Sequence, residues 1–141
     1  MQSMSAMNSN PQEAYRRQDV MTANSIDLIV MLYDALKKHL VLGKRYMTKK
    51  DVERTHNHLI KTQEIVAALI SSLDMNYQIS EELLSIYEFI IRTAGEANLH
   101  KNEESLALLD SLIEIVDELR SAWHEISEAN KGRAYLSEEQ A

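Results

Sequence analysis

The residues that could do chemistry in this chain of 141 are carboxylates and five histidines, with no cysteine beside them. The sharpest spacing is Glu53-Arg-Thr-His56, a Glu-x-x-His pair that a helix carries on one face. Di-iron helical bundles use that spacing to bring a carboxylate and an imidazole to one metal, but they need a second copy and two further inward carboxylates. No second Glu-x-x-His occurs. His56 and His58 are two apart and diverge on a helix, while His39, His100 and His124 are scattered, so solvated or half-buried imidazoles are the better account. The acid pairs Glu81-Glu82 and Glu103-Glu104 fall at expected helix starts, where the positive end of the helix dipole explains them without catalysis. The lack of cysteine removes a thiolate metal site and a cysteine nucleophile, and neither a Gly-rich phosphate loop nor a Gly-x-Ser-x-Gly elbow occurs. These residues argue against an enzyme and assign no catalytic group, metal ligand or cofactor.

The elements that would position any site are helices. A hydrophobic content of 45% with 3 Gly and 1 Pro fits a few long helices in one domain better than many short strands. The net charge of -7 argues against a sequence-independent phosphate binder, which needs clustered Lys and Arg, and an anionic membrane would repel such a chain. No secretory signal pattern opens the chain and no stretch approaches the ~20 apolar residues that span a bilayer, so a cytosolic protein is expected.

Residues 1–19 show no apolar period and are expected to be a mobile arm with Tyr15 as its one large side chain. Residues 20–129 are expected to form the bundle. Helix 1 begins at Asn24, with Asp27 as a weak capping partner, carries Leu28, Met31, Leu32, Ala35, Leu36, Leu42 and Tyr46 at helical spacing, and stops at "TKKD". Helix 2 spans about Asp51 to Leu73, with Ile65 and Leu69 widening its apolar stripe. Helix 3 starts near Ser80 and carries Leu83, Ile86, Tyr87, Ile90 and Ile91; "NLHKNEE" at 98–104 breaks it, with Asn102 as the next N-cap. In helix 4, Leu109, Leu112, Val116, Leu119, Trp123 and Ile126 alternate three and four, a coiled-coil-like seam that should be central. From Asn130 a polar tail, 130–141, should fray. Short connectors make successive helices antiparallel, giving an all-α, up-down-up-down four-helix bundle. Gly43 and Gly95 inside helices each cost about 1 kcal/mol against alanine, either for close helix approach or as tolerated defects.

Apolar surface remains. Ile65 and Leu69 on helix 2, and Leu84 and Ile91 on helix 3, exceed one core-facing stripe. They either face two neighbours in the bundle or edge a groove for a partner helix. The connector "SLDMNYQIS" raises the same choice, because Leu73, Met75, Tyr77 and Ile79 could cap one bundle end or edge such a groove.

Several stretches together resemble a family. "AYRRQDVMTANSIDLIVMLYDALKKHL" (14–40), "SLDMNYQIS" with "LLSIYEFIIR", "EANLHKNEES" and "LRSAWHEI" are similar in order to the flagellar secretion chaperones of the FliS type, over about residues 14–128. The chain departs from the common family pattern at Ala35, at Asn24-Ser25, at Glu88-Phe89 and in its glycine-free middle connector.

The resemblance implies a cytoplasmic bundle that binds the disordered C-terminal segment of flagellin, prevents premature polymerisation, and delivers it to a component of the flagellar type III export gate. By motif position and apolar facing, the residues expected to bind flagellin or dock the arm are Tyr15, Val20, Leu28, Met31, Leu32, Tyr33, Ile65, Leu69, Leu73, Met75, Ile79, Leu83 and Tyr87. The arm would compete with client or dock to the gate, and a homodimer through arm exchange stays open. The alternatives from other classes are a metal-binding bundle and a bundle that only self-associates.

Overall fold

The computed structural model describes the backbone over residues 25–140 and side chains over residues 25–129. The expected arm, 1–19, and the Asn24 cap lie outside them. The described backbone is four helices, α1 (Ser25–Thr48), α2 (Val52–Ser71), α3 (Gln78–His100) and α4 (Glu103–Gln140). The all-α expectation is met. The tail from Asn130 falls where only the backbone is described, and it continues α4.

Two starts follow their caps. The Asp51 carboxylate accepts the Arg54 N–H at 3.1 Å, satisfying one of the free donors of α2. Asn102 Oδ1 does the same for α4, accepting the Ser105 N–H at 2.9 Å and the Ser105 hydroxyl at 3.0 Å.

Three boundaries shift by about two residues from the sequence expectation, the first being the end of α2 at Ser71 instead of Leu73. Helix α3 begins at Gln78, two residues before Ser80, because the connector folds on itself. Asp74 accepts the Asn76 N–H at 3.0 Å on its side chain and the Ser80 hydroxyl at 2.6 Å on its carbonyl. Ser80 is therefore a buried tie from the first turn to the connector. At the other end α3 runs on to His100, and only Lys101 and Asn102 break the chain. Lys101 turns it by adopting φ 48°, ψ 41°, and Lys50 does the same after α1 at φ 62°. A side chain in this left-handed region costs roughly 1–2 kcal/mol, so both turns are tight at some expense.

Residues Met31–Ala122 form the larger compact unit. Its core contains Tyr33, Leu36 and Leu40 of α1, Leu59, Val66 and Leu69 of α2, Tyr87 and Ile90 of α3, and Leu109, Leu112 and Val116 of α4. Thr55 and Thr62 join them with no exposure, because each hydroxyl donates to the carbonyl four residues back, Asp51 at 2.7 Å and His58 at 3.0 Å. Helices α1 and α2 approach where Gly43 lies against Leu59, and α2 is tied to α3 by Gln63 Nε2, which donates to the Ile91 carbonyl at 3.0 Å.

Helices α1 and α4 are joined by Lys37–Asp117 at 2.7 Å, Lys44–Asp110 at 2.5 Å and Arg120–Asp34. Each advance along α1 is matched by an equal step back along α4, which fixes them as antiparallel neighbours in a single register. The described helix ends, 25–30 and 123–129, make a separate unit in which the Ser127 hydroxyl donates to the Asp27 carboxylate.

Candidate functional site

A binding site for another chain needs apolar surface that the bundle does not use for itself. Thirteen residues were expected to supply it, and the structure sorts them. Tyr15 and Val20 lie outside the described residues. Tyr33, Ile65, Leu69, Leu83 and Tyr87 are buried in the core, with exposures from 0% to 9%. In this structure they belong to the bundle's own packing and not to its exposed surface. Leu28, Leu32 and Leu73 are half-buried. Met31, Met75 and Ile79 are exposed at 65%, 51% and 61%. Met75 and Ile79 come together with Tyr77 around the α2–α3 connector; Met31 stands on α1.

An open apolar surface the sequence reading missed lies between α3 and α4. It is a groove of about 390 Å³ walled by Ile86 and Phe89 on one helix and Ile115 and Leu119 on the other, with Ser85 and Glu118 at its rim. Phe89 is 43% exposed even though aromatic side chains carry much of the burial energy in cores and interfaces. Ile79 stands seven residues before Ile86, so Ile79, Ile86 and Phe89 make one stripe along α3. The signal was present in α4: the seam is fully buried at Leu109, Leu112 and Val116, then half-buried at Leu119 and Trp123, and 43% exposed at Ile126.

Three of the histidines make side-chain contacts. Glu53 and His56 are both exposed, and His56 Nδ1 is 3.0 Å from Asn98 Nδ2. Among the described residues no three His, Cys, Asp or Glu side chains cluster as a metal would require. His39 and His58 meet across α1 and α2 with their Nδ1 atoms 3.0 Å apart, one donating to the other, and the Tyr46 ring stacks on His58 at 5.5 Å. Burial, then the neighbouring His58, Lys38 and Lys61, hold the His39 imidazole below its ordinary pKa. The Tyr87 phenol is pushed above its ordinary range by burial, against the opposing effect of its bond to Tyr33.

The described structure is a helical scaffold with an apolar core and open apolar surface between α3 and α4. Among the described residues no helix is long and apolar enough to cross a membrane. The family model described as Flagellar protein FliS matches residues 7–130. The chain therefore belongs to the FliS family, a family of chaperones and not of enzymes. It is 29% identical over 122 residues to the flagellar secretion chaperone FliS of Bacillus subtilis (strain 168), covering 86% of this chain and 90% of that one. The FliS of Vibrio cholerae is 30% identical over 120 residues, covering 81% of this chain and 86% of its own. That of Salmonella typhimurium is 29% identical over 111 residues, at 77% and 80%.

Proposed function

We propose that this protein is a cytoplasmic export chaperone that holds the disordered C-terminal segment of flagellin, prevents its premature polymerisation, and delivers it to the flagellar type III export gate. Membership of the FliS family supports the class. The observation that carries the client reading is the α3–α4 groove, whose walls are Ile86, Phe89, Ile115 and Leu119. An amphipathic segment that becomes helical on binding places anchors at i, i+3 or i+4 and i+7, and the Ile79, Ile86 and Phe89 stripe has matching spacing. The exposed Met75 beside the stripe's start suits a surface that adapts to several helix faces. Ordering the client consumes much of the gross gain from burial. The expected affinity lies between micromolar and nanomolar, about -8 to -12 kcal/mol.

Calorimetric titration with the last forty or so residues of flagellin tests this reading. A one-to-one complex that Phe89→Asp abolishes supports it, and no association at tens of micromolar in low salt refutes it. The arm, residues 1–18, is proposed to compete with the client or to dock at the gate. Its deletion should change flagellin affinity or gate docking, and unchanged values for both would reject that role. Arm exchange into a homodimer is the second proposal for the same segment, and loss of the dimer on deletion is its test.

A further inference from the structure

We propose that the cleft between α1 and α4 is a second docking surface, suited to an acidic amphipathic helical segment of another protein and separate from the α3–α4 groove. The cleft is shallow and open, with a volume of about 510 Å³. Its walls bring together Lys37, Lys38, Arg45 and Arg120 around Val41 and Leu42, with Asp34 as the single carboxylate. On a chain of net charge -7 this is positive potential concentrated against the average.

Two of the four cations are occupied in helix packing, Lys37 with Asp117 and Arg120 with Asp34. The other two are not. Lys38 and Arg45 are exposed, and among the described residues neither enters an ion pair. They stand seven residues apart, two helical turns or about 10.5 Å along α1. Val41 and Leu42 fall between them at i+3 and i+4, each half-buried. The arrangement is an apolar centre bracketed by two free cations on one helix face.

A helix lying along this cleft would set one or two apolar side chains against Val41 and Leu42. Carboxylates two turns apart on the same stripe would reach Lys38 and Arg45. Charge complementarity of this kind selects the partner and raises its rate of encounter. A membrane fits less well, because Val41 and Leu42 are half-buried and offer little apolar area to the acyl boundary, and the net charge of -7 opposes anionic lipid. Nucleic acid is disfavoured by the net charge and by Asp34 in the cleft. The surface does not depend on flagellin being the client.

The test uses the full chain, labelled for amide NMR. The probe is a synthetic 16-residue helical peptide with two central leucines bracketed by glutamates seven residues apart. Its control carries lysine for each glutamate. The acidic peptide is expected to shift amides from Lys38 to Arg45 with a dissociation constant of about 0.1–1 mM, as befits one small contact. K38E/R45E should weaken binding at least tenfold and K38Q/R45Q severalfold, with helicity and Tm held as controls on folding. Raising salt from about 50 to about 300 mM should weaken it too, since the pairs are exposed. Phe89→Asp should leave it unchanged. The proposal is overturned if the lysine peptide binds equally well, if shifts map to Phe89 and Ile115, or if no shifts appear. It is also overturned if the surface instead binds phosphatidylcholine–phosphatidylglycerol vesicles through Lys38 and Arg45.

Discussion

Tyr33 of α1 and Tyr87 of α3 meet hydroxyl to hydroxyl at 2.5 Å across the centre of the bundle, with exposures of 0% and 1%. Their rings are tilted at 48° with centroids 6.4 Å apart, so the two diagonal helices are joined by a polar contact inside apolar packing. Removing the Tyr33 hydroxyl takes away the hydrogen bond of the buried Tyr87 hydroxyl, which costs about 1–3 kcal/mol. Tyr33→Phe is expected to lower stability by an amount in that range. The Tyr33→Phe, Tyr87→Phe double variant should lose less than the sum of the singles, as measured by urea unfolding. Strict additivity would mean that the two hydroxyls do not act together.

The two helical glycines should answer differently to alanine. A Cβ at Gly43 would lie 2.8 Å from Leu59 Cδ2 and 3.2 Å from its Cγ, and Leu59 is itself only 1% exposed. Relief of the helix penalty gains about 1 kcal/mol, whereas overpacking costs typically 1–3. Gly43→Ala is expected to lower Tm by a few degrees. At Gly95 the new Cβ would meet only Gln63 Nε2 at 3.1 Å, the end of a flexible side chain, so Gly95→Ala should fall within about 1 kcal/mol of the parent. A Gly43→Ala protein as stable as the parent would show that α1 and α2 can part without cost.

The Lys50 backbone offers a stabilising change. At φ 62° its Cβ is strained, and glycine removes that strain at the price of a freer unfolded chain. Lys50→Gly should raise stability by about 0.5–1 kcal/mol, readable as a higher midpoint in urea with an unchanged m-value. Lys101→Gly should gain less, because the Lys101 ammonium donates to the Asn98 carbonyl and that bond would go.

The His39–His58 contact makes stability depend on pH. The His39 pKa is lowered in the folded state, by burial first and then by His58, Lys38 and Lys61, while Tyr46 on α1 stacks against His58. The folded protein therefore holds fewer protons than the unfolded chain near neutral pH. The contribution is fully present above the ordinary histidine pKa near 6.5 and is lost as pH falls below it toward the folded value. Thermal unfolding should show Tm falling between about pH 7 and pH 5 more steeply for the parent than for His39→Gln. Equal slopes would dismiss the pair as a source of the dependence.

The α3–α4 groove gives a binding prediction with an internal control. Phe89→Ala is expected to weaken flagellin-segment binding by about tenfold, or 1.4 kcal/mol, with little change in Tm since Phe89 is 43% exposed. Met31→Ala, on α1 outside that groove, should change affinity little. The reverse ranking by calorimetry would move the client to another face.

The four helices were legible because apolar residues at three- and four-residue spacing, together with the Asp51 and Asn102 caps, all agree. The start of α3 falls two residues before Ser80, whose hydroxyl reaches back six residues to the Asp74 carbonyl, a tie that apolar spacing does not reveal. Thr55 and Thr62 were passed over as core because a threonine looks polar until its hydroxyl is satisfied by its own helix. The open apolar surface was the least legible part. Periodicity marks a residue as apolar on a given face, but it does not tell whether a neighbour covers that face. Ile65 and Leu69 proved covered, whereas Phe89 and Leu119, at the same spacing, line an open groove.

The three ion pairs between α1 and α4 share one offset, and that has a mechanical meaning. A slide of α4 by a single residue would unseat Lys37–Asp117, Lys44–Asp110 and Arg120–Asp34 together, whereas a swing of α4 away from α1 can release them one after another, as a zip fastener opens. A segment wedged beside α4 would thus meet a helix that hinges more readily than it creeps. Loading would then register as a change of tilt, with the pairing of the two helices conserved.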